Sequence, residues 1–284
     1  MADLASTLPP GGRPPRSSGA DVRAQDGGRP RYSIVIPIHN EAECLAGEVA
    51  ELVDEMEARG VDYELLLAEN GSSDDTPALA EALAAGNPRI RALRVPVPDY
   101  GAAMKTGMLA ARGDLIVNFD IDFHDVDFML KAGELLADAR PLPAGVGADA
   151  GCGDLPAMCG AVVGSKLMQG ANDRRSPARH VVSLGFTTIL RLLFDRRMDD
   201  THGMKVLQRD VVQRFAPETV MTRDLFDTEL IIRARRGGVT VWAIPVTVEE
   251  KRKPRSSIVR RIPRTMKGLL QLRLVLWKEG NAGS

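Results

Sequence analysis

A chain of 284 residues with 44% hydrophobic and 26% charged side chains carries enough apolar material for a substantial core. Its 37 Lys and Arg against 38 Asp and Glu leave a formal net charge of −1, which excludes a globally basic nucleic-acid binder. No apolar run reaches the ~20 residues of a spanning helix. Three cysteines (Cys44, Cys152, Cys159), odd in number and without metal-binding spacing, point to a reducing, cytoplasmic setting.

Residues 1 to 31 read as a disordered tail. Ten of them are Pro or Gly, and the segment holds no apolar core for a signal peptide. Order begins at Tyr32, with Ser33 to Pro37 as a buried strand. Asn40 with Glu43 three residues on has the form of a capping box, and Leu45, Val49, Leu52, Val53 and Met56 recur at helical spacing. Tyr63 to Ala68 reads as a second strand, followed by a turn at Gly71 and a helix whose first position is Pro77. Ile90 to Val95 is a third strand, Ala102 to Arg112 a helix closed by Gly113, and Leu115 to Phe119 a fourth strand. Strand and helix alternate, so the expected fold is α/β: a mostly parallel sheet with helices on both faces.

In such sheets ligands lie beyond the carboxyl ends of the strands. Three polar clusters fall there: His39 to Glu41, Glu69 to Ser73, and Asp120 to His124. In an extended chain Asp120 and Asp122, two residues apart, point the same way and form a hard anionic site suited to Mg²⁺ or Mn²⁺. The competing reading is that both carboxylates cap the helix that starts near Val126. No Gly-x-Gly-x-x-Gly follows the first strand and no Gly-x-x-x-x-Gly-Lys-Ser/Thr occurs, so dinucleotide and P-loop sites are disfavoured. Phosphate charge would then be met by a metal ion and basic side chains.

Ser33-Ile-Val-Ile-Pro-Ile-His-Asn-Glu41, Glu69-Asn-Gly-Ser-Ser-Asp-Asp-Thr76, Tyr100-Gly-Ala-Ala-Met-Lys-Thr-Gly107 and Asp120-Ile-Asp122 stand in the order found in family 2 glycosyltransferases. The chain resembles their polyprenyl-phosphate branch, the dolichyl-phosphate mannose and glucose synthases, from about Tyr32 to Leu272. The resemblance implies a GT-A fold, a GDP- or UDP-hexose donor, a divalent ion and inverting transfer to a polyprenyl phosphate. Carried over, it assigns Pro37, His39, Glu41, Glu69, Asn70, Lys105, Asp120, Ile121 and Asp122 to the nucleotide sugar. It assigns Asp120, Asp122 and His124 to the metal. Glu69 and Asn70 replace the family's usual Asp-Asp, which leaves uridine and guanosine donors both open. His124 is equally read as a helix-start residue, and Lys105 as an exposed helix residue.

For catalysis the resemblance marks Asp122 with the cations Lys166, Arg179 and Arg252 around the acceptor phosphate. Asp199 to Lys205 matches the branch's Asp-Thr-x-Gly-Phe-Lys pattern, with Asp200 read either as orienting a loop or sugar hydroxyl or as a turn cap. Residues 140 to 157, rich in Pro, Gly and Ala, are expected to form a loop near the acceptor. Arg252 opens a loop in which Arg255 and Ile258 replace the branch's Gly and Lys.

From Lys251 to Arg273 there are nine basic residues and no acidic one. Drawn as a helix, Arg264, Lys267, Gln271 and Lys278 share one face, largely opposite Ile262, Met266, Leu269, Leu272, Leu276 and Trp277. That pattern suits an anionic membrane surface and equally a helix docked on its own core. The expected organisation is a tail (1–31), a GT-A domain (32–248) and a basic amphipathic segment (249–284), in a protein held at the cytoplasmic face of the membrane. Two alternatives stand beside it: transfer to a hydroxyl with Asp224 or Asp227 as base, and a catalytically silent nucleotide-sugar binder.

Overall fold

The first, second and fourth strands are apolar almost throughout, and such strands must be covered on both faces. The computed structural model describes residues 28–137, 158–173, 177–196, 198, 201, 203–248 and 258–282. In it β1 (Tyr32–Ile38), β2 (Tyr63–Asn70), β3 (Ile90–Val95) and β4 (Leu115–Asn118) run parallel. They are joined by α1 (Leu45–Ala58), α2 (Thr76–Gly86) and α3 (Tyr100–Ala110). After α4 (Val126–Ala137) come β5 (Met158–Ser165), β6 (Asn172–Asp173), α5 (Pro177–Leu193), β7 (Lys205–Gln208), α6 (Arg209–Phe215), α7 (Phe226–Arg236), β8 (Val239–Pro245), β9 (Thr247–Val248) and α8 (Ile258–Ala282). The main sheet has seven strands in the order β3-β2-β1-β4-β7-β5-β8. It is parallel except for β7, which lies antiparallel to both β4 and β5.

Strand pleating sorts the core into two layers. Ile34, Ile36, Ile38, Leu65, Leu67 and Val117 face Leu45, Leu52 and Met56 of α1 and Met129 of α4. Their neighbours Val35, Leu66 and Ile116 face the other way, toward Met104 and Met108 of α3, Phe215 of α6 and Phe226 of α7.

Two local expectations are corrected. The Asn40 and Glu43 pair does not cap α1: Cys44 stands at the N-cap without a side-chain capping bond, and Asn40 is in the left-handed region at φ 55°. Its Oδ1 instead accepts the Ser73 amide at 2.8 Å, tying the loop after β1 to the loop after β2. Gly113 does not serve as a left-handed helix stop either. A Cβ there would lie 2.7 Å from the Ser33 nitrogen and 2.8 Å from Ser33 Oγ, so glycine is required by close packing of β1 on the start of β4. Ser33 Oγ donates to Glu64 Oε1 at 2.6 Å and accepts the Gly113 amide at 2.7 Å, which closes a buried polar knot at the base of β4.

The C-terminal helix docks on the core through most of its expected apolar stripe. Leu269, Leu272 and Leu276 are buried with α7, and Met266 packs beside them. A Cβ on Gly268 would sit 2.3 Å from Leu225 Cδ1, so the helix lies close on the turn before α7. Left outside are Ile262, Leu270, Leu274 and Trp277, the last 59% exposed. No helix among the described residues is long and apolar enough to cross a membrane.

Gly113→Ala is expected to lower stability by about 1–3 kcal/mol, because the added methyl meets backbone that cannot move aside. Urea unfolding of the variant checks this, and Gly86→Ala, where a Cβ meets nothing within 4 Å, is its control.

Candidate active site

The carboxyl ends of β1 and β2 open into a cleft of about 580 Å³. Its first wall is made of two zipped loops. His39 Nδ1 lies 2.7 Å from the Asn70 carbonyl, Ser72 Oγ accepts the Asn40 amide at 2.9 Å, and Thr76 Oγ1 accepts the Glu41 amide at 2.7 Å. Asn70 Oδ1 accepts the Asp99 amide at 2.5 Å, which adds the loop before α3 to the same wall. Side chains of Pro37, His39, Glu41 and Asn70 line the cleft beside Pro98, Asp99 and Tyr100.

Asp120, Ile121 and Asp122 line its centre. Their arrangement is not the extended one expected from a strand. β4 ends at Asn118, and Asp120 and Phe123 then exchange backbone bonds, with Phe123 N donating to Asp120 O at 3.1 Å and Asp120 N to Phe123 O at 3.3 Å. The two carboxylates are therefore brought to the cleft by a tight turn. Asp120 is exposed to solvent in the cleft, although protein crowds around its carboxyl. That desolvation raises its carboxyl to about 6, opposed by Lys205 and Lys166 and reinforced by Asp122 and Asp227.

Beneath Asp120 lies a buried ion pair. Lys205 (1% exposed) and Asp227 (3% exposed) approach to 3.3 Å between Nζ and Oδ2. Lys205 Nζ also donates to the Gly203 carbonyl at 2.7 Å and lies 3.5 Å from Asn118 Oδ1. Tyr100 donates its phenol to Asp227 Oδ2 at 3.0 Å. Burial, with Asp227 and Asp120 nearby, raises that phenol well above its ordinary range, so it stays a donor. Asp227 Oδ1 is buried without a hydrogen-bond partner. The pair joins β7 to α7 and places one compensated positive charge under the Asp120 turn.

The second wall is the turn before α7 together with the start of α8. Arg223, Asp224 and Arg264 line the cleft there, and Arg264 Nη2 contacts Asp224 Oδ2 at 2.6 Å. The turn is fastened from below. Glu229, fully buried, accepts the amides of Val220 and Met221 at 2.9 and 2.6 Å. Its other oxygen meets Arg233 Nε at 2.7 Å, and Arg233 reaches Glu279 of α8 at 2.9 and 3.0 Å.

Of the residues expected on the nucleotide sugar, Pro37, His39, Glu41, Asn70, Asp120, Ile121 and Asp122 share the cleft; Glu69 and Lys105 do not. Glu69 is 3% exposed and accepts the Ser72 amide at 2.6 Å, so it shapes the loop. Lys105 Nζ donates to the carbonyls of Pro217 and Thr219, at 3.1 and 2.8 Å, and braces the far side of α3. His124 sets its ring 6.5 Å from Phe119 and does not line the cleft. Among the described residues no three His, Cys, Asp or Glu side chains gather as a metal site. Lys166 is half-buried and close enough to act on Asp120, whereas half-buried Arg179 on α5 is not part of the cleft lining. Arg252, Asp199, Asp200 and residues 140 to 157 lie outside the described residues.

Sequence reasoning missed Tyr100, Arg223 and Arg264 as lining residues. Gly101 was the available signal for the first two: a Cβ there would lie 2.6 Å from the Arg223 nitrogen, so the second wall touches α3 at this glycine.

Residues 33–127 match the Glycosyl transferase family 2 model. Glycosyltransferase AglD of Haloferax volcanii is 29% identical over 234 residues, which cover 81% of this chain and 35% of that protein. Dolichyl-phosphate beta-glucosyltransferase ALG5C of Trichomonas vaginalis is 27% identical over 234 residues, covering 77% of this chain and 64% of its own length. The chain therefore spans about a third and just under two thirds of these relatives. Glucosyl-3-phosphoglycerate synthase of Mycobacterium tuberculosis, solved with Mn²⁺, uridine-diphosphate and phosphoglyceric acid, superposes with a TM-score of 0.60 at 21% identity, over 92% of this chain and 84% of that one. The same enzyme, solved with Mg²⁺ and uridine-diphosphate, gives 0.58 at 20% identity, over 92% of this chain and 84% of that one. The expected α/β architecture is thus the GT-A fold.

Lys205→Met leaves Asp227 as an uncompensated buried charge and is expected to cost about 3–5 kcal/mol of stability. Adding Asp227→Asn should recover part of that loss, and chemical denaturation of the single and double variants measures the coupling.

Proposed function

We propose that this chain, of which residues 33–127 match the Glycosyl transferase family 2 model, moves a hexose from a nucleoside-diphosphate sugar to a polyprenyl phosphate. The observation that carries this reading is the meeting, in one cleft, of the zipped loops after β1 and β2 with the carboxylates of Asp120 and Asp122. The loops offer a wall of backbone and amide groups to a nucleoside. Two hard oxygen donors on a tight turn fit Mg²⁺ or Mn²⁺, with the diphosphate and water completing the shell. When bound, the ion would act as a Lewis acid toward the departing diphosphate. The like charge of Asp122 beside Asp120 gives that pair a reason to take up a cation.

The acceptor side follows from charge. A phosphate monoester, with a second pKa of about 6, is already a nucleophile at neutral pH and needs no general base. What it needs is placement by cations. Lys166 is one candidate in reach of the Asp120 corner, and Arg252 is proposed from its sequence position. Asp227 is not available as a base, since it is buried under the turn and paired with Lys205. Asp224 does line the cleft, which keeps one concrete observation behind transfer to a hydroxyl.

The C-terminal helix supports a peripheral place at a lipid surface by a different stripe from the one expected. Leu270, Leu274 and Trp277 are exposed along one side of α8, flanked by exposed Lys267 and Lys278 on one edge and Arg273 on the other. Apolar anchors between basic edges suit an anionic headgroup layer.

Two outcomes are expected. Asp122→Asn should abolish transfer and metal-dependent nucleotide binding while leaving the melting curve in place. Calorimetry with UDP or GDP and Mn²⁺, beside a screen of nucleotide sugars against a short-chain polyprenyl phosphate, is the check, and normal turnover by the variant would refute the assignment. Replacing Leu270, Leu274 and Trp277 together by Ser should release the protein from anionic vesicles in flotation, and binding should weaken as salt rises. Equal flotation of the triple variant would leave the helix without a lipid role.

A further inference from the structure

The cleft has a wall that the reading above does not use. Arg223 has a left-handed backbone, φ 54°, an uncommon conformation for a side-chain-bearing residue. The strain is held in place. Asp99 Oδ1 accepts the Arg223 amide at 2.8 Å, and Gly101 lets the turn approach α3 where a Cβ would clash. Among the described residues, the non-glycine residues with positive φ are Asn40 and Arg223. Asn40 ties together the loops of the first wall, and Arg223 lines the second. The Arg223 guanidinium lines the cleft and has no hydrogen-bond or ion-pair partner among the described residues. Arg264 joins it from α8. Asp224 engages Arg264 Nη2, and the remaining donors of that fork are left for a second anion. Below, the Glu229, Arg233 and Glu279 chain fixes the turn to α8, so both arginines ride on one braced wall.

We propose that Arg223 and Arg264 are a preorganised anion site that holds the phosphate monoester of the acceptor. The inference rests on the glycosyl-transfer reading for the role of that phosphate, and on the geometry alone for the anion site. The donor diphosphate would be met by the divalent cation that Asp120 and Asp122 are placed to hold. A second anion in the same cleft needs separate cations. Arg223 and Arg264 come from elements outside the nucleotide loops and supply two. Asp224 acts as a positioning residue that aims Arg264 while the site is empty.

The test uses the full chain with UDP and Mn²⁺ present. Phenyl phosphate and citronellyl phosphate, a soluble and a prenyl monoester, are titrated by ³¹P NMR into the wild type, Arg264→Ala, Arg223→Ala and Arg264→Lys. Loss of a charge-assisted pair should weaken binding of at least one probe about ten- to a hundredfold in each Ala variant, with Arg264→Lys between. UDP affinity should not change. In the transfer assay the same variants should raise the KM for the prenyl phosphate more than they lower kcat. If only citronellyl phosphate binds, the prenyl chain contributes; if both bind alike, the phosphate alone is read, and either result fits the site. Weakened UDP binding with unchanged phosphate binding would overturn the proposal by giving the arginines to the donor. So would Ala variants that bind both probes like the wild type. Abolished transfer in Asp224→Asn with an altered acidic limb of the pH profile would also overturn it, by making Asp224 a base for a hydroxyl. The titration needs no turnover. A wild type that binds phenyl phosphate through Arg264 but transfers no sugar would refute the glycosyl-transfer reading and leave the anion site standing.

Discussion

Much of this structure depends on one buried charge pair, Lys205 with Asp227. Either charge buried there alone would carry a large desolvation cost, and together they make a compensated knot joined to Tyr100, Asn118 and the Gly203 carbonyl. The knot spans three elements that are distant in sequence: α3 through Tyr100, β7 through Lys205 and α7 through Asp227. Tyr100 lines the cleft itself, and Asp227 stands on the helix that follows the cleft-lining Arg223 and Asp224. The same positive charge opposes the desolvation of Asp120 directly above, so an interaction that holds the fold also tunes the centre of the cleft.

Around that knot the two walls are built by different means. The first is a mesh of short bonds between loops, in which Asn40, Ser72, Ser73 and Thr76 satisfy one another's backbone groups. The second is a turn held from beneath by a buried carboxylate and a buried arginine. The first wall is local to two adjacent strands. The second needs the last helix of the chain in place.

That difference explains what could be read from the sequence. The strands from Tyr32 to Asn118 were legible because apolar residues dominate β1, β2 and β4 and alternate with polar ones along β3, with a helix after each, and most of the matched residues 33–127 fall in this part. Asp120 and Asp122 were legible as a pair, although a turn and not a pleat brings them together. The Asn40 signature misled because its side chain found a partner across the loops in place of its own helix. Lys105 and Glu69 stand in a family-like motif but outside the cleft lining, where they spend their bonds on bracing. Arg264 was visible only as one charge on an amphipathic helix. Its position at the cleft follows from Leu269, Leu272 and Leu276 docking the helix on the core, and periodicity cannot distinguish that stripe from one lying on lipid.

The antiparallel strand β7 has a consequence for the order of assembly. β1, β2 and β3 pair with their neighbours in sequence and can form early at small loop-closure cost, whereas β4 joins β1 only across the two intervening units. β5 cannot pair with β4 directly: β7, some forty residues further on, must first slot between them. Until it does, β4 presents an open, apolar edge, and Asp120 stands over a site with no Lys205 beneath it. During synthesis that edge emerges well before its partner, which makes Leu115 to Asn118 the segment most exposed to mispairing and a natural place for a chaperone to act.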